Sequence, residues 1–310
     1  MNCLVTGGAG FIGSHIVDAL LKKKYHVRVL DNFFSGRREN LAHVGDQIEI
    51  IEGNIQDPVC VKKALKDIDI VFHQAALKLV PESFKCPDQY NNVNIQGTLL
   101  LLLEAKKNAV KKFVYASSSS VYGDSEKLPK SEMDPVNPIS PYAISKLAAE
   151  YYCSVFSKSY QLPTVSLRYF NVFGPRQMVN DGYSNVIPKF IACILKGESP
   201  PVYGDGKQSR DFTYIENVVS ANLLALEKEK VTGVYNVGMG ERHDLLSIIA
   251  ILNKILKKKI HPQFLAAQPG DVRHTLASID HIGKHLDYHS KLTFQEGLEK
   301  TLHWFQELWG

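Results

Sequence analysis

The chain has 310 residues, 45% of them hydrophobic and 22% charged, with a net charge of +4. That length suits one large domain or two unequal ones, and the composition is that of an ordinary soluble globular protein. The charge is too mild for a nucleic-acid footprint, although it suits an anionic small ligand.

Cys3-Leu4-Val5 reads as the end of a short buried strand, and residues 14–23 as a helix with Ile12, Ile16, Ala19 and Leu20 on one apolar stripe. Between them runs Thr6-Gly7-Gly8-Ala9-Gly10-Phe11-Ile12-Gly13. A glycine turn from strand into helix leaves the first helical N–H groups able to hold a phosphate. Gly7 permits the tight turn, Gly10 lets backbone approach a pyrophosphate, and Gly13 lets helix and strand pack closely. A second strand over 27–30 ends on Asp31, where a dinucleotide fold places its ribose-binding carboxylate. Asp31 would accept from both ribose hydroxyls and repel a 2′-phosphate, so NAD is favoured over NADP, even with Arg37 and Arg38 in the following loop.

A third strand over 48–51 leads to a helix starting near Pro58 with Asp57 as its cap. A fourth, Ile70-Val71-Phe72, runs into His73-Gln74-Ala75-Ala76, small residues against which a cofactor can lie. A long helix over about 91–108 carries Asn94, and a fifth strand, Phe113-Val114-Tyr115-Ala116, delivers Ser117 to Ser120 and Val121-Tyr122-Gly123. This alternation predicts an α/β fold with a doubly wound parallel sheet of Rossmann type, an NAD-binding domain over 1–170. After a proline-punctuated loop, a helix over 142–159 and a strand over 165–169, the rhythm is lost. Residues 171–310 are expected to form mainly a smaller, interleaved substrate domain, with a strand over 233–237 rejoining the sheet.

Tyr142 and Lys146 lie one helical turn apart on one face. A phenol is a poor base at neutral pH. The lysine, together with the positive ring of an oxidised nicotinamide, is expected to lower its pKa, with Ser118 sharing the substrate oxygen. The trio would draw a proton from an alcohol while NAD takes the hydride.

With these residues in place, the chain resembles the extended short-chain dehydrogenase/reductases, specifically the UDP-hexose 4-epimerases. The resemblance rests on the stretches at 7–13, 31–32, 73–76, 117–123 and 142–146, on Arg168-Tyr169-Phe170-Asn171, and on Tyr203-Gly204-Asp205-Gly206 through Arg210-Asp211-Phe212. It implies Tyr142 as catalytic base and acid, Lys146 as its activator and ribose ligand, and Ser118 as partner of the sugar 4-oxygen. At the cofactor it implies Gly7, Gly10, Phe11, Ile12, Asp31, Asn32, Gln74, Ala75 and Ala76. Asn54 and Ile55 would border the adenine, Lys78 the phosphates, and Asn94 and Tyr169 further parts of the site. Asn171, Asn185, Val186, Tyr203, Arg210 and Asp271 would hold the UDP moiety, with Tyr203 against the uracil and Arg210 on the diphosphate. Two positions depart from the pattern: Asn54 stands where Asp is usual, and Gln268 where Arg is common.

Dehydratases and decarboxylases of this fold carry carboxylates where Ser119 and Ser120 fall, which favours epimerisation. Thr275 falls where relatives restricted to unmodified hexoses often have tyrosine, so UDP-GlcNAc and UDP-GalNAc are expected substrates alongside UDP-Glc and UDP-Gal. The alternatives are a UDP-glucuronate 4-epimerase, with Arg273 or Lys78 meeting the carboxylate, and a catalytically silent NAD-binding regulator. By resemblance a homodimer is expected, paired through the helices at 91–108 and 142–159. Five scattered cysteines and the lack of a signal-like or membrane-spanning run point to a reducing, cytoplasmic setting. The histidines are read as lone surface or packing residues, His243 and His285 among them, and no metal is expected.

Overall fold

The computed structural model describes residues 1–179, 186–266 and 272–309. Its first elements follow the hydrophobic runs: β1 (Asn2–Thr6), α1 (Phe11–Lys22), β2 (His26–Asp31), β3 (Ile48–Glu52), α2 (Pro58–Leu65) and β4 (Ile70–His73). Two short helices, α3 (Val80–Lys85) and α4 (Pro87–Tyr90), precede a π-helical turn, Asn91–Gln96. Then come α5 (Gly97–Lys107), β5 (Lys112–Ser118), α6 (Pro141–Ser159) and β6 (Thr164–Tyr169). Shorter pieces follow: β7 (Val172–Phe173), α7 (Val186–Lys196), β8 (Pro201–Tyr203), β9 (Ser209–Arg210) and β10 (Thr213–Tyr214). The chain continues through α8 (Ile215–Glu227), β11 (Gly233–Val237), β12 (His243–Asp244), α9 (Leu245–Leu256), β13 (Gln263–Leu265), α10 (Asp280–Leu286) and α11 (Phe294–Trp309).

Seven of these strands form one parallel sheet in the order β3-β2-β1-β4-β5-β6-β11. β4 and β6 are buried along their whole length, as a sheet covered on both faces requires. Alternate residues of one strand feed two cores. Cys3 and Val5 pack with Ile16, Val17 and Val218 on one face, and Leu4 packs with Leu65, Leu101 and Ala149 on the other. Strand order reverses between β1 and β4, which opens a crevice at their carboxyl ends.

Local chemistry sets the helix starts. The Asp57 carboxylate accepts from the Val59 N–H at 2.9 Å, with Pro58 at the first helical position. Ser140 does the same for α6, accepting from Ala143 N at 3.1 Å ahead of Pro141. At the other end of α8, the buried Lys112 ammonium on β5 donates to the carbonyls of Ala225, Lys228 and Val231 at 3.0, 2.5 and 3.2 Å. It caps the negative end of that helix and fixes the turn leading into β11.

Two expectations change. The helix over 91–108 is not continuous α: its first turn is π, with Asn94 buried in it and the Thr98 hydroxyl donating to the Asn94 carbonyl at 2.6 Å. The buried residues of α1 are Gly13, Ser14, Ile16, Val17 and Leu20, while Ile12 is half-buried, packing against the core and lining the crevice as well. Among the described residues, no helix is long and apolar enough to cross a membrane.

Candidate active site

A cavity of about 1130 Å³ lies across the carboxyl ends of β1 to β6 and is closed from the far side by residues of the C-terminal half. Its floor is the glycine turn. Gly7 has φ +67, and a Cβ there would sit 2.7 Å from Ala75 N; one on Gly13 would sit 2.1 Å from Gly7 O. Neither position admits a side chain, so β1 and α1 meet at backbone distance. The first turn of α1 receives no side-chain cap from Gly10, which leaves its N–H groups for an anion.

Asp31 ends β2 at the same floor. Its two oxygens accept from Ala9 N at 2.9 Å and Phe33 N at 2.8 Å, which orients the carboxylate. Burial raises its pKa, and those two N–H bonds work against the rise. Phe11, Ile12, Asn32, Asn54 and Ile55 line this end. The Asn54 amide oxygen accepts from Gln56 N at 3.1 Å, which uses one of its two lone pairs. A carboxylate fixed beside an uncapped helix start fits a dinucleotide.

Gln74, Ala75, Ala76 and Lys78 line the middle. Gln74 donates to the Tyr169 hydroxyl at 3.2 Å and Asn222 donates to it at 2.8 Å, while burial pushes that phenol up to about 12. Beneath them His73 is held between the Thr6 and Thr98 hydroxyls at 2.7 and 2.8 Å, and burial, with the Lys146 charge, lowers its pKa to about 3. Asn94 departs from expectation: it is buried behind the wall and does not line the cavity. The π turn aims its amide at the Leu77 backbone, accepting from N at 2.9 Å and donating to O at 3.0 Å, and at Ser145 Oγ at 2.9 Å. It thereby ties the Lys78 segment to α6.

Ser118, Tyr142 and Lys146 line the same cavity. The Lys146 Nζ donates to the Ala116 carbonyl at 2.6 Å, and burial lowers its pKa to about 7. The Tyr142 ring packs edge-on against Tyr90, with centroids 6.3 Å apart. The Tyr142 phenol is subject to two opposed influences. Burial raises its pKa above 10, and the opposing influence is the Ser118 hydroxyl. The lysine's hydrogen bond is directed at Ala116.

From the C-terminal half, Asn171, Val186, Tyr203, Arg210 and Thr275 line the cavity. The Thr275 hydroxyl donates to Asn171 Oδ1 and accepts from Asp211 N, both at 3.3 Å. The Arg210 guanidinium donates to the carbonyls of Ser209 and Arg273 at 3.0 Å each. Asn185, Gln268 and Asp271 lie outside the described residues. Sequence reasoning missed Phe84 and Gln89, which reach the cavity from α3 and α4 and sit in no recognisable motif. It treated Ser119 and Ser120 only as missing carboxylates, yet both line the cavity. Asp31 is the sole carboxylate among the described lining residues.

His281 and His285 are a pair, not lone residues: they lie four apart on α10 with rings 4.4 Å apart. His281 stacks on Tyr235 at 4.9 Å, and among the described residues no three metal-ligating side chains cluster.

Residues 3–238 match the NAD dependent epimerase/dehydratase family. A putative UDP-glucose 4-epimerase of Methanocaldococcus jannaschii is 35% identical over 305 residues, 98% of either chain. UDP-N-acetylglucosamine 4-epimerase from Methanobrevibacter ruminantium M1, solved with UDP-N-acetylmuramic acid, superposes with a TM-score of 0.95 at 43% identity, covering 99% of this chain and 98% of that one. UDP-glucuronic acid 4-epimerase from Bacillus cereus, solved with UDP-glucuronic acid and NAD, gives 0.92 at 36% identity, over 99% and 100%. A match that runs from the first strand of the sheet to the residue after its last makes this chain a member of the NAD dependent epimerase/dehydratase family.

Proposed function

We propose that the chain inverts C4 of a UDP-hexose through a 4-keto sugar, and that it accepts the UDP-GlcNAc/UDP-GalNAc pair alongside UDP-Glc/UDP-Gal. The observation that carries this reading is the make-up of one cavity. It joins Ser118, Tyr142 and Lys146 to the glycine turn, with no carboxylate besides Asp31 among its described lining residues. Elimination or decarboxylation calls for a further acid or base near the sugar, whereas removal and return of hydride do not.

Asp31 and the turn at Gly7 and Gly13 would hold NAD, which when bound supplies the hydride acceptor and donor. Tyr142 takes the C4 hydroxyl proton during oxidation and gives it back after the keto sugar has turned. A neutral, raised phenol needs added positive charge to ionise, and an oxidised nicotinamide beside it meets that need. Ser118 holds the 4-oxygen. Lys146, fixed by Ala116, would serve as a hydrogen-bond donor at the ribose end of the pair. Asn171, Val186, Tyr203 and Arg210 would receive the UDP moiety, with Arg210 on the diphosphate.

Thr275 supports the N-acetylated pair. It is a small side chain, fixed by two hydrogen bonds at the cavity wall. Of the two cations the glucuronate reading could use, Arg273 ion-pairs with Asp205 at 2.9 Å and does not line the cavity, whereas Lys78 does line it. A homodimer is supported by exposed apolar side chains on α5 and α6, Leu103, Tyr151 and Val155, and light scattering tests it.

The deciding experiment incubates the protein, with and without added NAD, with each UDP-sugar in turn and resolves products by proton NMR. Inversion at C4 of the N-acetylated pair is expected. Loss of water or carbon dioxide would overturn the reading, and Tyr142→Phe should lose about 10²- to 10⁴-fold in turnover.

A further inference from the structure

Ser118 begins the tight 3-10 turn Ser119–Tyr122, and its hydroxyl oxygen has two partners in that turn. It accepts from the Ser120 backbone N–H at 3.2 Å and from the Ser120 hydroxyl at 2.9 Å. A serine hydroxyl has two lone pairs and one proton. With both lone pairs taken by one neighbour, Ser118 can address a third group only as a donor. In the substrate-free enzyme that group is Tyr142, which lines the same cavity and whose phenol is hydrogen-bonded to the Ser118 hydroxyl.

We propose that Ser120 is a positioning residue: by filling the acceptor sites of Ser118, it fixes that hydroxyl as an obligate donor toward the Tyr142 oxygen. A donor at that oxygen favours the phenolate, and a hydroxyl that accepts two hydrogen bonds donates more strongly. The arrangement sets a committed donor against the burial that raises this phenol's pKa. The backbone N–H alone would not suffice. Without the Ser120 hydroxyl one lone pair of Ser118 is free, and Ser118 can rotate to accept from the neutral phenol, which stabilises the wrong state.

The assignment rests on Tyr142 as the working base, but its test needs no sugar. The NAD-loaded enzyme is titrated with pH at the phenolate absorption band. Each protein is referenced to its own Tyr142→Phe counterpart, so that one of 14 tyrosines is read. Ser120→Ala should raise the Tyr142 midpoint by about one pH unit and move the acid limb of the kcat/KM profile, which reports the substrate-free enzyme, with it. Ser120→Thr, which keeps the hydroxyl, should restore the midpoint. An unshifted midpoint in Ser120→Ala, or a threonine variant that fails to restore it, overturns the proposal. If the alanine variant does not fold, Ser120→Cys, a weaker donor, should shift in the same direction by less, and no shift there overturns it equally. Failure of the NMR experiment would instead remove the epimerase reading and leave the titration standing.

Discussion

Glu150 on α6 and Arg168 on β6 meet in a two-pronged ion pair, 2.5 Å from Nη2 to Oε1 and 3.1 Å from Nε to Oε2, with both side chains buried. Ser117 donates to the same carboxylate at 2.8 Å, and Arg168 donates to the Tyr122 hydroxyl at 2.9 Å, which donates onward to Asn236 on β11 at 2.7 Å. The pair therefore anchors the strand that presents Ser118. Removing one partner strands a buried charge. Glu150→Gln should cost about 3–5 kcal/mol in urea unfolding, and pairing Glu150→Leu with Arg168→Met should cost much less than either single change.

Gly13→Ala tests the floor of the cavity. The added Cβ would meet the Gly7 carbonyl at 2.1 Å, a backbone atom that no rotamer change can move away. The variant should be destabilised by about 1–3 kcal/mol or more and should lose bound dinucleotide. Denaturant unfolding and the nucleotide absorbance of the purified protein check it.

Thr275→Tyr tests the sugar pocket. A ring at that wall should lower kcat/KM for the N-acetylated pair by about 100-fold and leave the unmodified pair within about threefold. Equal retention of both pairs would place the acetamido group elsewhere.

Acid stability follows from two histidines. Burial lowers His15 from 6.5 to about 4 and His73 to about 3, so both are neutral in the folded protein where the unfolded chain would protonate them. Their contribution is present above pH 6.5 and is lost as pH falls from there toward 4 and 3. Between pH 7 and pH 5 each should withdraw about 2 kcal/mol. His15→Gln should remove its share of that loss, as read from urea midpoints at the two pH values.

The glycine turn, Asp31 and the Tyr142–Lys146 helix were legible because backbone sterics and helical spacing dictate them. Asn94 was not, because a π turn rotates its side chain away from the direction an α-helix would give it. The phenol's raised pKa was hidden as well. Burial and the aim of the Lys146 hydrogen bond are tertiary facts, and spacing along a helix reports neither. Phe84 and Gln89 arrive on short helices whose orientation depends on packing, with no local signature to read.

β11 reaches the sheet beside β6 only after more than sixty residues of intervening chain, Gly233 pairing with Val165 and Val237 with Tyr169. During synthesis, then, the edge of β6 stands open from the moment it forms until the ribosome has made the distant strand that covers it. A nascent or truncated chain ending short of residue 233 would carry a complete glycine turn and a complete Tyr142 helix. It would also expose an adhesive strand, so a fragment cut there is expected to aggregate even though the groups assigned to the dinucleotide are all present.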